Sequence, residues 1–115
     1  MSSFKDLSIT VKLNIENPGT GKDFGFGPGI AKLCDGILET GSLNASAKKM
    51  GMAYSRAWRI INESEESLGI KLLNRNGAKG SNLTGEAIEI LRTFHKLEND
   101  ITRLAAEHLH KELGC

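Results

Sequence analysis

The sequence predicts a mainly α-helical fold with a small amount of β-structure, and three patterns carry that prediction. Near the N-terminus apolar residues alternate with polar ones, which is the period of a half-buried strand. Further on, apolar stripes with helical spacing lie between glycines. Near the C-terminus a longer stretch repeats an apolar residue every three or four positions. A chain of 115 residues is expected to fold as one domain, residues 1–115, around one core.

The N-terminal segment, about residues 7–26, is predicted to form a β-hairpin. In LSITVKLNIEN every second residue from Leu7 to Ile15 is apolar, as on the buried face of a strand. The following NPGTG is rich in turn-forming residues. The short segment KDFGF is then expected to return along the first strand.

The first predicted helix opens a three-helix core over residues 28–68. Pro28 suits the first turn of a helix, where its missing N–H costs nothing. The helix is expected to end at Gly41, because glycine favours helix C-termini. Ser42 follows as a side chain that can cap the next helix.

The second and third helices are expected over about residues 43–50 and 54–68. Only Gly51, Met52 and Ala53 lie between them. A turn of three or four residues that contains glycine, placed between two helices, is typical of a helix-turn-helix. The glycine is expected to turn the chain so that the start of the third helix points outward.

Two short strands, KLLNR and SNLT, with a glycine-containing loop between them are predicted over residues 70–84. After a helix-turn-helix, such a hairpin indicates a winged helix-turn-helix. Thr84 is expected to cap a long helix over residues 85–112, roughly 42 Å at 1.5 Å per residue.

This long helix carries a heptad-like seam, which a domain of this size is too small to cover. The seam therefore predicts a homodimer, and whether the N-terminal hairpin joins its interface stays open. The predicted interface residues are Ile90, Phe94, Leu97, Ile101 and Leu104.

The net charge of +1 conceals an uneven distribution. Residues 42–80 hold seven Lys or Arg against three acidic residues, whereas the rest of the chain holds eight basic and eleven acidic residues. The basic excess coincides with the predicted helix-turn-helix and wing, as expected of a nucleic-acid-binding face. The three acids, expected on the solvent face of the third helix, are Glu63, Glu65 and Glu66.

The N-terminal half of the third helix is the predicted recognition surface for double-stranded DNA, because recognition helices dock with that end at the base edges. Arg56 or Arg59 is expected to bind a guanine edge with two hydrogen bonds. Tyr54 and Ser55 are expected to bind a base or a phosphate. The further candidates, on the second helix and the wing, are Lys48, Lys49, Arg75 and Lys79.

Each candidate also has a purely structural explanation. Lys48 and Lys49 suit the negative end of the second helix, and the arginines are also consistent with a solvated face. Trp58 is expected to pack in the core and not to stack on a base, whereas Tyr54 is balanced between these roles. The order of the elements, more than any one side chain, favours DNA binding.

Other chemistry is not indicated. GKDFGFGPG lacks the spacing of a phosphate-binding loop, and no catalytic arrangement can be argued, so no enzyme is predicted. His95, His108 and His110 with Cys115 match no standard ligand spacing, so no metal and no cofactor are expected. Cys34 lies in an apolar run and is expected in the core.

The chain is expected to be cytoplasmic. Its first residues lack the order of a secretory signal, and no apolar run approaches the ~18 residues that a membrane span needs. Two cysteines are too few for a disulfide framework. No membrane partner is therefore predicted.

The segment FGPGIAKLCDGILETGSLNASAKKMGMAYSRAW resembles the DNA-binding domain of ModE-type, molybdate-responsive regulators and, more loosely, the winged helix-turn-helix of LysR-type regulators. The GPG, the ETGS and the MGM-Y-AW run carry the resemblance, which covers about residues 7–98. It implies a dimeric transcription regulator with its third helix in the major groove and its wing against the backbone. It also implies recognition positions at residues 54–56 and Arg59.

Regulators of the ModE type continue into a C-terminal oxyanion-binding module, and no molybdate site is visible in this chain. The expected function is therefore sequence-specific binding of double-stranded DNA by a transcription regulator that lacks that module. The alternative is a winged-helix module that docks a protein and does not read DNA, which the low net charge favours slightly. Salt dependence separates the two, because phosphate contacts release counterions.

Overall fold

The computed structural model describes residues 3–75 and 81–114. The fold is mainly helical, with a small antiparallel sheet and a long C-terminal helix, which confirms the predicted winged helix-turn-helix class. The elements in chain order are a 3-10 turn (Pro18–Thr20), α1 (Pro28–Thr40), α2 (Leu43–Lys49), α3 (Tyr54–Leu68), β1 (Leu73–Arg75), β2 (Ser81–Leu83) and α4 (Gly85–Leu113). No helix in these two ranges combines the length and apolarity needed to cross a membrane.

The segment before α1 pairs less extensively than the predicted hairpin. The 3-10 turn reverses the chain, but among the described residues its two arms meet in one antiparallel bridge, between Ile15 and Phe26. The returning arm docks on α3, because Gly25 donates its N–H to Ser67 Oγ (2.8 Å) and accepts a hydrogen bond from Ser64 Oγ (2.8 Å). These backbone groups are therefore not available for a longer strand ladder.

The packing of α1 on α2 depends on a glycine. Ser46 is fully buried and donates its hydroxyl to the backbone carbonyl of Leu33 at 2.7 Å. A Cβ added to Gly36 would lie 2.1 Å from Ser46 Oγ, so a side chain at this position would collide with α2. The close approach helps to set the direction in which α2, and after it α3, leaves α1.

Gly51 forms the break between α2 and α3 with a left-handed φ of 67°. The N–H of Gly51 donates to the carbonyl of Lys48 (3.0 Å) and that of Met52 to the carbonyl of Ala47 (2.9 Å), which closes the last turn of α2. A residue with a Cβ is strained at this φ. The glycine therefore turns the chain at the position where the sequence predicts the break.

An aromatic pair joins α4 to the core. Phe94 lies edge-on to Phe26, with ring centroids 5.5 Å apart, and both side chains are fully buried. The assignment of Phe94 to a dimer interface is therefore corrected. Its ring fills the core of its own chain and leaves no surface for a partner.

Beyond Phe94, α4 leaves the core. Its buried residues are Ala87, Leu91 and Phe94, all in the first third of a helix of 29 residues. Residues 95–113 therefore extend roughly 28 Å past the core at 1.5 Å per residue. This overhang gives the molecule its extents of 61 × 33 × 22 Å.

The base of the wing is the antiparallel pair β1 and β2, with Leu73 opposite Leu83. Both leucines are buried. The N–H of Thr84 donates to the carbonyl of Leu72 at 3.0 Å and extends the pairing toward α4. Lys79, a predicted wing contact, lies outside the described residues.

Candidate nucleic-acid interface

The first two turns of α3 present four of the predicted DNA contacts to solvent. Tyr54 is 46 % exposed, and Ser55, Arg56 and Arg59 are exposed as well. The opposite side of the helix, beginning at Ala57, is buried. Because a helix repeats every 3.6 residues, a buried stripe at four-residue spacing leaves these side chains on the open face.

Charge changes sign along this open face. Arg56 and Arg59 lie in the first half of α3, and the exposed Glu63 and Glu66 lie in the second half. The N-cap is Ala53, which makes no side-chain cap, so no capping side chain offsets the positive end of the α3 helix dipole. A polyanion is therefore attracted to the N-terminal half of α3.

The two lysines in the last turn of α2 have different surroundings. Lys49 Nζ lies 2.5 Å from Glu39 Oε1 of α1, and both side chains are more than half exposed. Surface ion pairs of this kind contribute ~0–1 kcal/mol, so the pair does not prevent Lys49 from reaching a phosphate. Lys48 is exposed beside it.

Arg75 lies against α3 and does not project from the wing. Its Nη2 donates to Asn62 Oδ1 (2.7 Å) and to Glu65 Oε1 (2.9 Å), and its guanidinium carbon lies 4.7 Å from the centroid of the Trp58 ring. That Arg75 contacts DNA from the wing stays a prediction, since its side chain is still exposed. Its place against α3 follows from Glu65, a buried carboxylate that needs a cation beside it.

Trp58 belongs both to the core and to this surface. It packs against the buried residues, as predicted, but it is only half-buried. The ring of Tyr54 lies edge-on to it, with centroids 6.1 Å apart and planes at 88°. A row of contacts thus runs from the wing to the first turn of α3. We call its members the Arg75 cluster, which comprises Tyr54, Trp58, Asn62, Glu65 and Arg75.

Glu65 is the member of this cluster whose position differs from the one predicted from the sequence. It is 6 % exposed and lies below the solvent face on which it was expected. Its spacing of four residues from Ile61, and of eight from Ala57, places it on the buried stripe, and this spacing is the signal that identifies it.

The carboxylate of Glu65 is fully engaged. It accepts the N–H groups of Leu72 (2.7 Å) and Leu73 (3.2 Å) in addition to the bond from Arg75. Burial by itself raises the pKa of Glu65, but these hydrogen bonds and the charge of Arg75 outweigh burial, so the net pKa lies below its usual value. Glu65 is therefore ionised at neutral pH and ties β1 to α3.

Part of the predicted seam on α4 is uncovered. Leu97 is 39 % and Leu104 54 % exposed, and Ile101 between them is half-buried. Ile90 packs against the core at the base of the helix. We call Leu97, Ile101 and Leu104 the α4 stripe.

Two titratable groups lie away from this surface. His95 Nε2 lies 2.9 Å from both carboxylate oxygens of Asp35, and this contact raises the pKa of His95. Burial of the Cys34 thiol, together with the neighbouring Asp35, raises its pKa to about 12. Within the described ranges, no group of three or more His, Cys, Asp or Glu is placed to hold a metal ion.

Comparison with known proteins relates this geometry to a family. Residues 31–87 match the bacterial regulatory helix-turn-helix proteins of the lysR family. The chain is similar to the molybdenum transport protein ModE of Herbaspirillum seropedicae, with 30 % identity over 84 residues, which cover 70 % of this chain and 30 % of that protein. It is also similar to the HTH-type transcriptional regulator CrgA of Neisseria meningitidis serogroup C (strain 8013), with 33 % identity over 73 residues, which cover 64 % of this chain and 24 % of that protein. The matched part is thus less than a third of either relative.

Proposed function

The chain carries a helix-turn-helix domain of the bacterial regulatory lysR family, and from that premise we propose that it is a transcription regulator that binds double-stranded DNA sequence-specifically through α3. The observation that carries the proposal is the open face of α3, where Arg56 and Arg59 stand on the half that begins just after the Gly51 turn. An arginine with free donors matches the two acceptors that guanine presents in the major groove.

In the proposed complex the N-terminal half of α3 lies in the major groove. Arg56 and Arg59 are three residues apart, so they share one side of the helix and reach neighbouring base pairs. Tyr54 and Ser55 contact a base or a phosphate. The α2 lysines, Lys48 and Lys49, contact the backbone and set the register of the helix, which is the usual role of phosphate contacts.

We also propose that two copies pair through α4. The α4 stripe and the roughly 28 Å of helix beyond the core support this, because neither is covered within the described chain. A two-fold dimer would present two α3 helices to half-sites about one helical turn (~34 Å), or a multiple of it, apart. The operator is then a pseudo-palindrome.

The proposal includes no oxyanion-sensing role for this chain. The basic side chains of the described interface stand on the exposed surfaces of α2 and α3, and Lys49 already pairs with Glu39, so they suit an extended polyanion better than a small oxyanion. Molybdate added to the binding assay is expected to leave the affinity for DNA unchanged. A change in affinity on its addition would contradict this part of the proposal.

The test begins with a duplex selected from random sequences and fluorescence anisotropy. Arg56→Ala or Arg59→Ala is expected to cost ~1–3 kcal/mol on the selected duplex and to relax its sequence preference. The matched control is Arg103→Ala, which removes the same charge from a side chain of α4 that is 70 % exposed. Binding of both α3 variants at wild-type affinity would rule out α3 as the reading helix.

Salt separates DNA binding from the protein-docking alternative. Wild-type affinity is expected to fall steeply between ~50 and ~200 mM salt, because each phosphate contact releases counterions. The selected duplex is expected to bind more tightly than a random one at every salt concentration. Absence of binding to either duplex even at the lower salt would favour a protein partner.

A further inference from the structure

The Arg75 cluster indicates a role for Arg75 other than contact with DNA. We propose that Arg75 is a positioning residue: by lying over Trp58 and binding Asn62 and Glu65, it holds wing strand β1 in place against the DNA-reading helix α3. The inference rests on the proposed function, since it concerns how the same surface is assembled.

The contacts of Arg75 are made with side chains of its own chain, at the edge of α3. One nitrogen, Nη2, donates to two acceptors on α3 at 2.7 and 2.9 Å, and an indole ring lies 4.7 Å from the guanidinium carbon. The side chain is 37 % exposed. A wing residue that binds phosphate is expected to project into solvent, so this geometry favours an internal role.

The same contacts connect the wing with the reading face. Arg75 is the last residue of β1. Its partners Trp58 and Asn62 lie one helical turn apart on α3, on either side of Arg59 in sequence. The Trp58 ring also contacts Tyr54, the first residue of α3. A change at Arg75 therefore reaches both the wing and the surroundings of the reading residues.

Glu65 also attaches β1 to α3. Its carboxylate accepts the N–H groups of Leu72 and Leu73, which lead into Arg75. A buried carboxylate that loses its cation is strongly destabilised. Among the described residues, the other cation beside it is Lys71, whose Nζ is 4.0 Å away on a side chain that is 73 % exposed. Arg75 is therefore the main charge partner of the group that docks β1.

This arrangement requires a guanidinium group. A guanidinium is planar, lies flat over an aromatic ring and donates in a fixed fork, whereas an ammonium is a point charge on a flexible stem. Arg75→Lys thus keeps the charge that a phosphate contact needs and removes the geometry that positioning needs. Arg75→Gln removes both.

The first measurement uses the free protein and does not depend on DNA. Trp58 is the only tryptophan of the chain, so its fluorescence reports directly on the group above its ring. Arg75→Lys and Arg75→Gln are both expected to change the emission of Trp58 and to speed hydrogen exchange at the Leu72 and Leu73 amides. Arg103→Gln, the control, should change neither. Wild-type emission and exchange in both Arg75 variants would overturn the proposal.

The second measurement is DNA binding, with each variant shown by circular dichroism to be folded at the assay temperature. Arg75→Lys and Arg75→Gln are expected to weaken binding to the selected duplex to a similar extent, by about tenfold. If Arg75 were a phosphate ligand, the lysine variant would bind nearly as wild type. The glutamine variant alone would then lose about one unit of the slope of log affinity against log salt. That pattern would overturn positioning.

A double-mutant cycle separates positioning from a general loss of stability. Trp58→Phe is expected to weaken DNA binding on its own. The double variant Trp58→Phe with Arg75→Gln should bind no more weakly than Arg75→Gln alone, because the two substitutions disrupt the same contact. Additive losses would contradict the shared role. If the wild-type protein binds no duplex, the proposed function fails and positioning for DNA reading fails with it, while the fluorescence result still decides whether Arg75 holds the wing.

Discussion

Glu65 shows how burial alters the role of a single residue. Its neighbours Glu63 and Glu66 are exposed and add negative charge to the second half of α3. Glu65 instead faces inward, and its carboxylate takes the place of a strand partner for the N–H groups of Leu72 and Leu73. The acid in the middle of this run is therefore structural, and the other two shape the electrostatic field.

The pH dependence of stability is expected to show this difference. Because the folded pKa of Glu65 lies below its ordinary value of 4.5, its ionised form stabilises the fold above that pH, and the contribution is lost as pH falls through the folded pKa. Glu65→Gln is expected to cost about 1–3 kcal/mol at pH 7. The difference from wild type should shrink toward pH 3.

Urea unfolding of both proteins between pH 3 and pH 7 measures that difference. Glu66→Gln is the matched control, since its side chain is exposed and pairs with Lys22 at 3.9 Å. A difference between wild type and Glu65→Gln that stays constant with pH would contradict the linkage.

Cys34 is the second residue whose surroundings decide its chemistry. It is fully buried, and its pKa of about 12 keeps the thiol protonated at any physiological pH, whereas the thiolate is the reactive form. In a Cys115→Ser background, Cys34 is expected to resist a thiol reagent in the native state and to react in full in urea. Rapid labelling of the native protein at pH 8 would contradict its burial.

At the scale of elements, two glycines determine how the helices meet. Gly51 supplies the left-handed turn between α2 and α3, and Gly36 allows Ser46 to approach α1. Gly51 can be predicted from the sequence, because it directly follows a stretch of helical periodicity and glycine often ends a helix. Gly36 lies inside a helix, where glycine is otherwise unfavourable by ~1 kcal/mol relative to alanine.

Gly36→Ala is therefore expected to destabilise the protein by ~1–3 kcal/mol, as overpacking usually does. Its Cβ would lie 2.1 Å from Ser46 Oγ. Gly29→Ala is the matched control in the same helix, because no other part of the described chain comes within 4 Å of a Cβ built there, and it should be neutral or slightly stabilising. Thermal unfolding followed by circular dichroism compares the two. Equal thermal midpoints for the two variants would mean that α1 and α2 can move apart at Gly36 without loss of stability.

At the scale of the whole molecule, the asymmetry of α4 is the main feature. Its first third closes the core through Phe94 and Phe26, and its remainder carries the α4 stripe into open space. Exposed leucines at heptad spacing on an unsupported helix are typical of a coiled-coil partner surface. The proposed dimer follows from this arrangement.

Leu97→Asp is expected to convert the dimer to a monomer, because it buries a charge in the proposed interface. Asn99→Asp, which adds the same charge to an exposed position two residues away, should leave the dimer intact. Sedimentation velocity over a range of concentrations distinguishes these outcomes. A Leu97→Asp protein that stays dimeric would place the interface elsewhere, for example on the N-terminal arm with its exposed Leu7 and Ile9.

The sequence by itself determined the fold class, the break at Gly51, the exposed basic start of α3 and the long last helix. These features depend on local chemistry. Helical periodicity, capping residues and the φ preference of glycine act over a few neighbouring residues, so they can be read without knowing what packs against them.

Only the tertiary structure decided the partners of Arg75, the burial of Glu65, the place of Phe94 in the core and the docking of Gly25 on α3. Each depends on residues far apart in sequence: Phe26 meets Phe94, and Gly25 meets Ser64 and Ser67. A periodic pattern tells which face of a helix is apolar but not which segment will cover it. A charged residue is buried only when a distant partner arrives to neutralise it, and the position of that partner is set by the assembled fold.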